Sequence, residues 1–172
     1  MQIAAGLDMG DILQQQICAI DPGETAGSLH DKLANLGGTC LLETLDHLSE
    51  NSLTPTKQDN KVATYAHKIS KEEATINWYL TAVELERTVR AFNPAPISHT
   101  VLRGMAMRVW EADVVTLGKT TVAPGTIIDC NTEGVIIAAA RDALRIKRLQ
   151  LPGKKVITAQ EFHNGYPDLL KP

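Results

Sequence analysis

The segment GLDMGD, from Gly6 to Asp11, places two carboxylates in a Gly-x-x-x-Gly stretch near the start of the chain. A carboxylate on a glycine-flanked loop can orient a histidine or take part in proton transfer. The Asp-x-Gly pattern also makes ordinary turns, and spacing alone favours the turn over catalysis at Asp8. Asp11 is the weaker candidate, because it can equally cap a turn or lie in solvent.

Other kinds of reaction centre are poorly supported by the residue pattern. The five histidines are scattered, and none has the i, i+4 spacing of a helical metal pair. The three cysteines lie far apart with no CxxC pair, which favours a reducing compartment over a disulfide framework or zinc knuckle. The chain also contains no GxGxxG, GxxxxGK[ST] or GxSxG motif. The residues alone therefore predict no metal site and no complete catalytic set.

The distribution of charge indicates a surface that can approach a polyanion. Residues 1–97 carry seven Lys or Arg against 13 Asp or Glu, whereas residues 98–172 carry ten against seven. The stretch 141–155 alone has six basic residues and one acid. A phosphate-contacting surface and a solvated outer face both fit this pattern. The candidate phosphate contacts in this stretch are Arg145, Lys147, Arg148, Lys154 and Lys155.

A second candidate basic site lies on a predicted helix over residues 81–92. Arg87 and Arg90 share one side of this helix. Arg90 can also pair with Glu86 at i, i+4, which is a local stabilising interaction. Structural and phosphate-binding roles are equally consistent with the spacing.

The elements that would position the aspartates resemble the end of an α/β domain. We expect a strand at residues 1–5, a strand buried on both faces at 17–20, and an amphipathic helix over 28–49. Thr25 or Ser28 is expected to cap the helix, and the Gly37-Gly38 pair to bend or split it. The polar, aperiodic residues from 51 to 66 are expected to form a linker.

The rest of the chain, from residue 67 to 172, predicts a small β-barrel with helices. Capping boxes are expected at Ser70/Glu73, Thr81/Glu84 and Thr158/Glu161. Two strands are expected around Arg103-Gly104, and three more between residues 125 and 151. The hydrophobic residues of the last strand change parity, which predicts a β-bulge near Lys147. The expected fold class is thus α/β plus β.

Several of these segments together resemble methionyl-tRNA formyltransferases. GLDMGDIL is similar to the GLDTGDML segment of that family, and Asp8, Gly10, Leu13 and Ile20 fit the D-x-G-x2-[LIVT]-x6-[LIVM] end of the folate-dependent formyltransferase signature. ISKEEATINW, LERTVRAFNPAP, APGTI and GKKVITAQEF have counterparts in the same order. The resemblance covers nearly the whole chain.

The resemblance implies a fold and a reaction. It implies that residues 1–50 are the C-terminal remnant of a Rossmann-like formyltransferase domain, that 51–66 are a linker, and that 67–172 form an OB-like β-barrel that helps to hold tRNA. The family transfers a formyl group from 10-formyltetrahydrofolate, without a metal, to the amino group of methionyl initiator tRNA. Asp8 matches the catalytic aspartate, and Gly6, Leu7 and Asp8 would lie beside the folate. A cytoplasmic monomer acting in translation initiation is implied.

The sequence departs from the family pattern in one important respect. The resemblance implies an Asn–His–Asp set, and the asparagine and histidine lie upstream of GLDTGD in the family. Only seven residues precede Asp8 here. We therefore expect a partial chain without activity of its own, in which residues 1–50 are poorly stable alone and 67–165 fold independently. The alternatives are a non-catalytic tRNA- or RNA-binding module and a formyltransferase for another acceptor amine, such as a sugar nucleotide.

Overall fold

The computed structural model describes residues 1–117 and 121–166, which divide into two compact units. The first unit is Met1–Lys68 and the second begins at Ile69. The predicted second domain extends to residue 172, so its last six residues lie outside the described part. Within residues 1–117 and 121–166, no helix combines the length and the hydrophobicity needed to cross a membrane.

The first unit is built around one long helix, α1 (Ala26–Ser49). Thr25, one of the two predicted caps, is the N-cap, and it forms a capping box with Ser28. Of the predicted bend or split at Gly37-Gly38, the split is wrong, because α1 continues through both glycines. All residues of α1 remain at least partly exposed.

The two strands predicted in the first unit are wrong. Among residues 1–68, the structure has a single isolated β-bridge, between Ile12 and Thr56. Ile3 is 98% exposed and Ile17 is 99% exposed, so neither apolar run is buried. An extended segment needs a neighbouring strand to bond its backbone, and none of the described residues supplies one here.

The second unit is a curled antiparallel sheet with helices packed on it. Its elements are α2 (Ala82–Ala91), β1 (Ser98–Leu102), β2 (Met105–Val115), β3 (Ile127–Cys130), β4 (Val135–Ala138), β5 (Ala143–Gln150), β6 (Val156–Thr158) and α3 (Ala159–Gly165). The strand order is β1-β2-β5-β4-β3, and β6 also pairs with β5. The five predicted strands are confirmed, whereas β6 was missed. The described strands form a half-barrel, with β1 and β3 each paired on one side only.

The predicted bulge is confirmed at Lys147. Arg148 lies opposite Glu111, and Ile146 lies opposite Ala112, so Lys147 is left without a ladder partner on β2. This extra residue lets buried positions on both sides of it face the same core. The core is aliphatic around one aromatic ring, and its fully buried large residues include Phe162, Leu85, Met107, Ile137, Leu144, Ile146 and Leu149.

The predicted capping boxes are also present in the second unit. Thr81 with Glu84 caps α2, and Thr158 with Glu161 caps α3. Ser70 and Glu73 bond each other ahead of a single 3-10 turn, Glu72–Ala74. These boxes fix where each helix starts relative to the sheet.

Candidate functional site

The loop that carries Asp8 is held in a specific backbone conformation. Asp8 has a φ of 52°, which costs on the order of 1 kcal/mol for a residue other than glycine. The side chain of Gln58 donates to the backbone oxygens of Asp8 and Gly10, at 2.8 and 2.6 Å. Two hydrogen bonds of this kind offset the backbone strain. The conformation is therefore maintained by a residue 50 positions away in sequence.

Gly10 is required by the close approach of the chain start. A Cβ at this position would meet the backbone oxygen of Gln2 at 1.7 Å. The Gln2 amide donates to the oxygen of Asp11 at 2.9 Å, which keeps the two segments together. Ile12 and Thr56 exchange two backbone hydrogen bonds of 2.8 Å immediately afterwards. The loop is thus tied at both ends, independently of Gln58.

The Asp8 side chain is exposed and available for chemistry. It lines an open depression of about 860 Å³ together with Leu7, Met9, Ile12 and residues from 57 to 66. Within the described part of the chain, the Asp8 carboxylate makes no hydrogen bond or ion pair. No group of three or more His, Cys, Asp or Glu among these residues could hold a metal ion. The loop presents one carboxylate to an open pocket.

Several of the basic residues singled out by the sequence bind carboxylates in the structure. Arg145 makes a bidentate pair with Asp113, at 2.8 and 2.6 Å, and reaches Glu133 at 3.0 Å. The hydrogen bond to Asp113 raises the pKa of Arg145 above its ordinary value. Lys147 pairs with Glu111 at 2.9 Å, and this contact raises the pKa of Lys147. Both cations are therefore paired with acids of β2.

Arg90 is also paired, as the helix spacing allowed. Its guanidinium binds both carboxylate oxygens of Glu86, at 2.5 and 3.1 Å. Arg87 lies three residues before Arg90, about one helical turn away, and is exposed. The two arginines are therefore unequal, with Arg87 exposed and Arg90 partly buried and paired with Glu86.

The remaining candidate cations are exposed around the end of β5. Arg148, Lys154 and Lys155 form no hydrogen bond or ion pair through their side chains in residues 1–117 and 121–166. Residues 151–155 (LPGKK) form the loop that we call the lysine loop. Gln150 holds it in place, because the Gln150 Nε2 donates to the oxygen of Lys154 at 2.8 Å. The Lys154 amide in turn donates to the oxygen of Leu151 at 3.0 Å. The structure brings these three cations to one end of the sheet.

Sequence reasoning missed two further cations of the second unit, one on β2 and one just before the 3-10 turn Glu72–Ala74. Lys71 and Arg108 line a groove of about 570 Å³ over β1, β2 and the residues that follow β5. They lie 37 positions apart, so no local pattern in the sequence connects them. Alternation of exposed and buried residues on β2 places Arg108 on the outer face, and only the strand register brings it beside the groove.

Comparison with known proteins supports the resemblance. The family described as formyl transferase, C-terminal domain, matches residues 68–167. A methionyl-tRNA formyltransferase of Coxiella burnetii is 47% identical over 172 residues, which are 100% of this chain and 54% of the relative. That of Acidithiobacillus ferrooxidans is 45% identical over 166 residues, which are 96% of this chain and 53% of the relative. The chain thus spans about half the length of these curated relatives.

Solved structures show the same fold at low identity. HypX from Aquifex aeolicus, in complex with tetrahydrofolic acid, has a TM-score of 0.71 at 17% identity and covers 98% of this chain and 30% of its own. A sugar 3N-formyl transferase, WlaRD, has a TM-score of 0.63 at 20% identity and covers 89% of this chain and 53% of its own. The matched domain, the sequence identities and the fold agree. The chain belongs to the formyl transferase C-terminal domain family and is a homologue of the methionyl-tRNA formyltransferases.

Proposed function

We propose that this chain provides the aspartate and the tRNA-binding part of a methionyl-tRNA formyltransferase. The reaction would move a formyl group from 10-formyltetrahydrofolate to the amino group of methionyl initiator tRNA. The observation that carries the proposal is 47% identity to such an enzyme along all 172 residues. The loop around Asp8 supports it, because an exposed carboxylate is held there at a positive φ.

Asp8 is the residue we assign to proton handling. The acceptor amine has to lose a proton as its nitrogen attacks the formyl carbon. A carboxylate can orient a histidine for this purpose or help to move the proton itself. Gln58 would act as a positioning residue, because its bonds to the Asp8 and Gly10 oxygens fix the direction in which the carboxylate points.

The folate would supply the activated formyl group, and the residues beside Asp8 are suited to it. Leu7 is largely exposed next to the carboxylate, and Gly6 has no side chain to obstruct a flat ring. The adjoining depression falls within the roughly 300–1,000 Å³ typical of small-molecule sites. We assign Gly6, Leu7 and Asp8 to the folate, with no metal.

The second unit is the part that we assign to the tRNA. Arg87, Arg148, Lys154 and Lys155 are exposed cations of the kind that contact phosphates. Arg90, Arg145 and Lys147 were candidates too, and their carboxylate partners make them the weaker ones. The division into a catalytic remnant at 1–50, a linker at 51–66 and an OB-like domain at 67–172 remains part of this proposal, as do a cytoplasmic location and a monomeric state.

A chimaera tests the catalytic assignment. Its N-terminal part is the portion of the Coxiella burnetii relative that residues 1–172 do not match, and it is joined to residues 1–172 of this chain. We expect the chimaera to formylate methionyl-tRNA and residues 1–172 alone not to do so. Asp8→Asn should reduce turnover by at least 100-fold, in line with the loss of a group that handles protons. Asp11→Asn removes the same charge from the same loop and should retain activity.

Two results would contradict the catalytic assignment. One is a folded chimaera that binds folate and tRNA but transfers no formyl group. The other is equal turnover by Asp8→Asn and Asp11→Asn. The resemblance implies that an asparagine and a histidine outside residues 1–172 are essential for the reaction. Turnover by residues 1–172 alone would refute this expectation.

A non-catalytic RNA-binding module is the second candidate. It is favoured by the uneven burial of the two units, because the large fully buried side chains all belong to the second unit. Both candidates predict that residues 1–172 bind tRNA and that this binding weakens as the salt concentration rises. Both also predict that Lys155→Glu weakens the binding more than the matched Arg141→Glu does. Only the chimaera separates them, since a binding module would remain inactive in it.

A further inference from the structure

Three polar side chains form a row across the outer face of the half-barrel. His99 on β1 lies opposite Arg108 on β2, and Arg108 lies opposite Gln150 on β5. Residues directly opposite each other in antiparallel strands have Cβ atoms about 5 Å apart. The row therefore sets a cation, an imidazole and an amide side by side along one edge of the groove.

The row is continuous with the lysine loop. Gln150 accepts a hydrogen bond from Trp110 Nε1 at 3.2 Å and donates to the Lys154 oxygen at 2.8 Å. Its amide thus links β2 to the loop. Pro152 and Gly153 form one wall of the groove, and Lys154 and Lys155 follow directly.

The groove carries positive charge without acidic residues in its lining. The side chains of Lys71 and Arg108 form no hydrogen bond or ion pair in the described part of the chain. Glu72 is the nearby acid that acts on Lys71 and His99 electrostatically, and it lies outside the lining. Its pKa is lowered mainly by hydrogen bonds from its own backbone amide and from Ser70. A phosphate entering the groove would meet two cations that are not already paired.

The floor of the groove is apolar. Val101 on β1 lies opposite Ala106 on β2, and both are exposed. Pro96, Ile97, Met107 and Leu151 are further apolar residues of the lining, which also includes Thr100. Such a surface can cover a ribose and one face of a base, although its lining contains no Phe, Tyr or Trp ring for strong stacking. An apolar floor between cations fits a nucleotide better than it fits an isolated phosphate.

We propose that this groove binds one nucleotide of a single-stranded RNA segment, with its phosphate held by Lys71 and Arg108. The inference deepens the proposed function, on which it rests, by naming the surface and the form of the RNA that it takes. The flanking phosphates of the strand would lie along Lys154, Lys155 and Arg148. Because the contacts are to backbone and to an apolar floor, binding would depend little on base identity.

The test uses the full chain, residues 1–172, and fluorescence anisotropy with a labelled single-stranded octaribonucleotide. The variants are Lys71→Ala and Arg108→Ala, with Arg141→Ala as the matched control. Arg141 is 79% exposed and lies just before β5, about 30 Å along the extended chain from Gln150. All three changes remove one charge from an exposed side chain, so their melting curves should match that of the wild type.

We expect each groove variant to lose about fivefold in affinity at 0.1 M salt, and the slope of log K against log salt to fall by about 0.7. Arg141→Ala should match the wild type in both measurements. Ala106→Glu, which leaves both cations in place but adds an acid to the floor, should weaken binding at least as much.

Three outcomes would overturn the inference. Equal affinity of Arg108→Ala and Arg141→Ala would exclude the groove, and intact binding of tRNA by the wild type would then leave the proposed function standing. Displacement of the octamer by AMP at the same nucleotide concentration would show a site for free nucleotides rather than for a strand. Failure of the wild-type chain to bind tRNA at all would count against the proposed function itself.

Discussion

Two arginines three residues apart on β5 should have opposite roles. Arg145 makes a bidentate pair with Asp113 and a third bond to Glu133, whereas Arg148 is exposed without an ion pair in the described residues. We predict that Arg145→Met lowers the stability of the second unit without changing affinity for tRNA. Arg148→Met should do the reverse. The two substitutions remove the same charge from the same strand.

The size of the stability effect follows from the exposure of each partner. A hydrogen bond to a charged group contributes about 1.5–3 kcal/mol when protected, and far less at an exposed surface. Glu133 is 74% exposed, so its bond is discounted almost entirely. Asp113 is 37% exposed, so its contribution is discounted too, and its two-atom contact leaves about 1 kcal/mol for Arg145→Met. Methionine keeps the aliphatic stem that packs over Gly134.

Urea unfolding monitored by tryptophan fluorescence measures this effect, because both tryptophans lie in the second unit. Arg148→Met should change the free energy of unfolding by less than about 0.5 kcal/mol, as surface substitutions usually do. Its affinity for tRNA should fall about five- to eightfold at 0.1 M salt. Equal stability of the two variants, or a larger loss of tRNA binding in Arg145→Met, would refute the assignment.

Three further predictions concern the loop, a helix cap and the core. Gly10→Ala should break the contact with Gln2 and expose the loop to limited proteolysis, whereas Gly6→Ala should not, because its added Cβ meets only the flexible end of a methionine. The pKa of Glu161 is lowered from 4.5, chiefly by hydrogen bonds from the backbone amide and hydroxyl at the α3 cap. The Glu161 carboxylate therefore stabilises the folded state fully above about pH 4.5, and this stabilisation is lost as the pH falls through its lowered pKa. A pH series of melting curves should show this loss in the wild type and not in Glu161→Gln. Phe162→Ala should cost about 3–5 kcal/mol in urea unfolding, because its ring is fully buried.

The sequence predicted the second unit well because its signals are local. The hairpin turn at Arg103-Gly104 has positive φ at both residues, the geometry that tight antiparallel hairpins require. The bulge at Lys147 could be read from a change of parity within one strand. The sixth strand escaped because β6 has only three residues and follows two lysines. Three residues are too few to show an alternation of exposed and buried positions.

The first unit was predicted less well because burial is not a local property. The run at 17–20 is apolar enough for a buried strand, yet Ile17 is almost fully exposed and has no strand beside it among the described residues. The helix was found correctly, since its caps and spacing are set within the segment. The hydrogen bonds from Gln58 to the Asp8 loop were not predicted, because Gln58 lies in a stretch whose sequence indicates only a linker. The conformation of the Asp8 loop thus depends on a contact with Gln58, 50 positions further along the sequence.

The cations around the groove and the end of β5 also could not be identified from local sequence, and this matters for function. Counting charges along 141–155 identifies a basic stretch, but it cannot show that Arg145 and Lys147 are neutralised by acids on β2. Nor can it include Lys71 and Arg108, which the fold adds from outside the stretch. A polyanion interacts with the cations that the fold leaves unpaired on one surface. The face to perturb is therefore the outer side of β1, β2 and the end of β5, where the fold has gathered cations that no run of sequence contains.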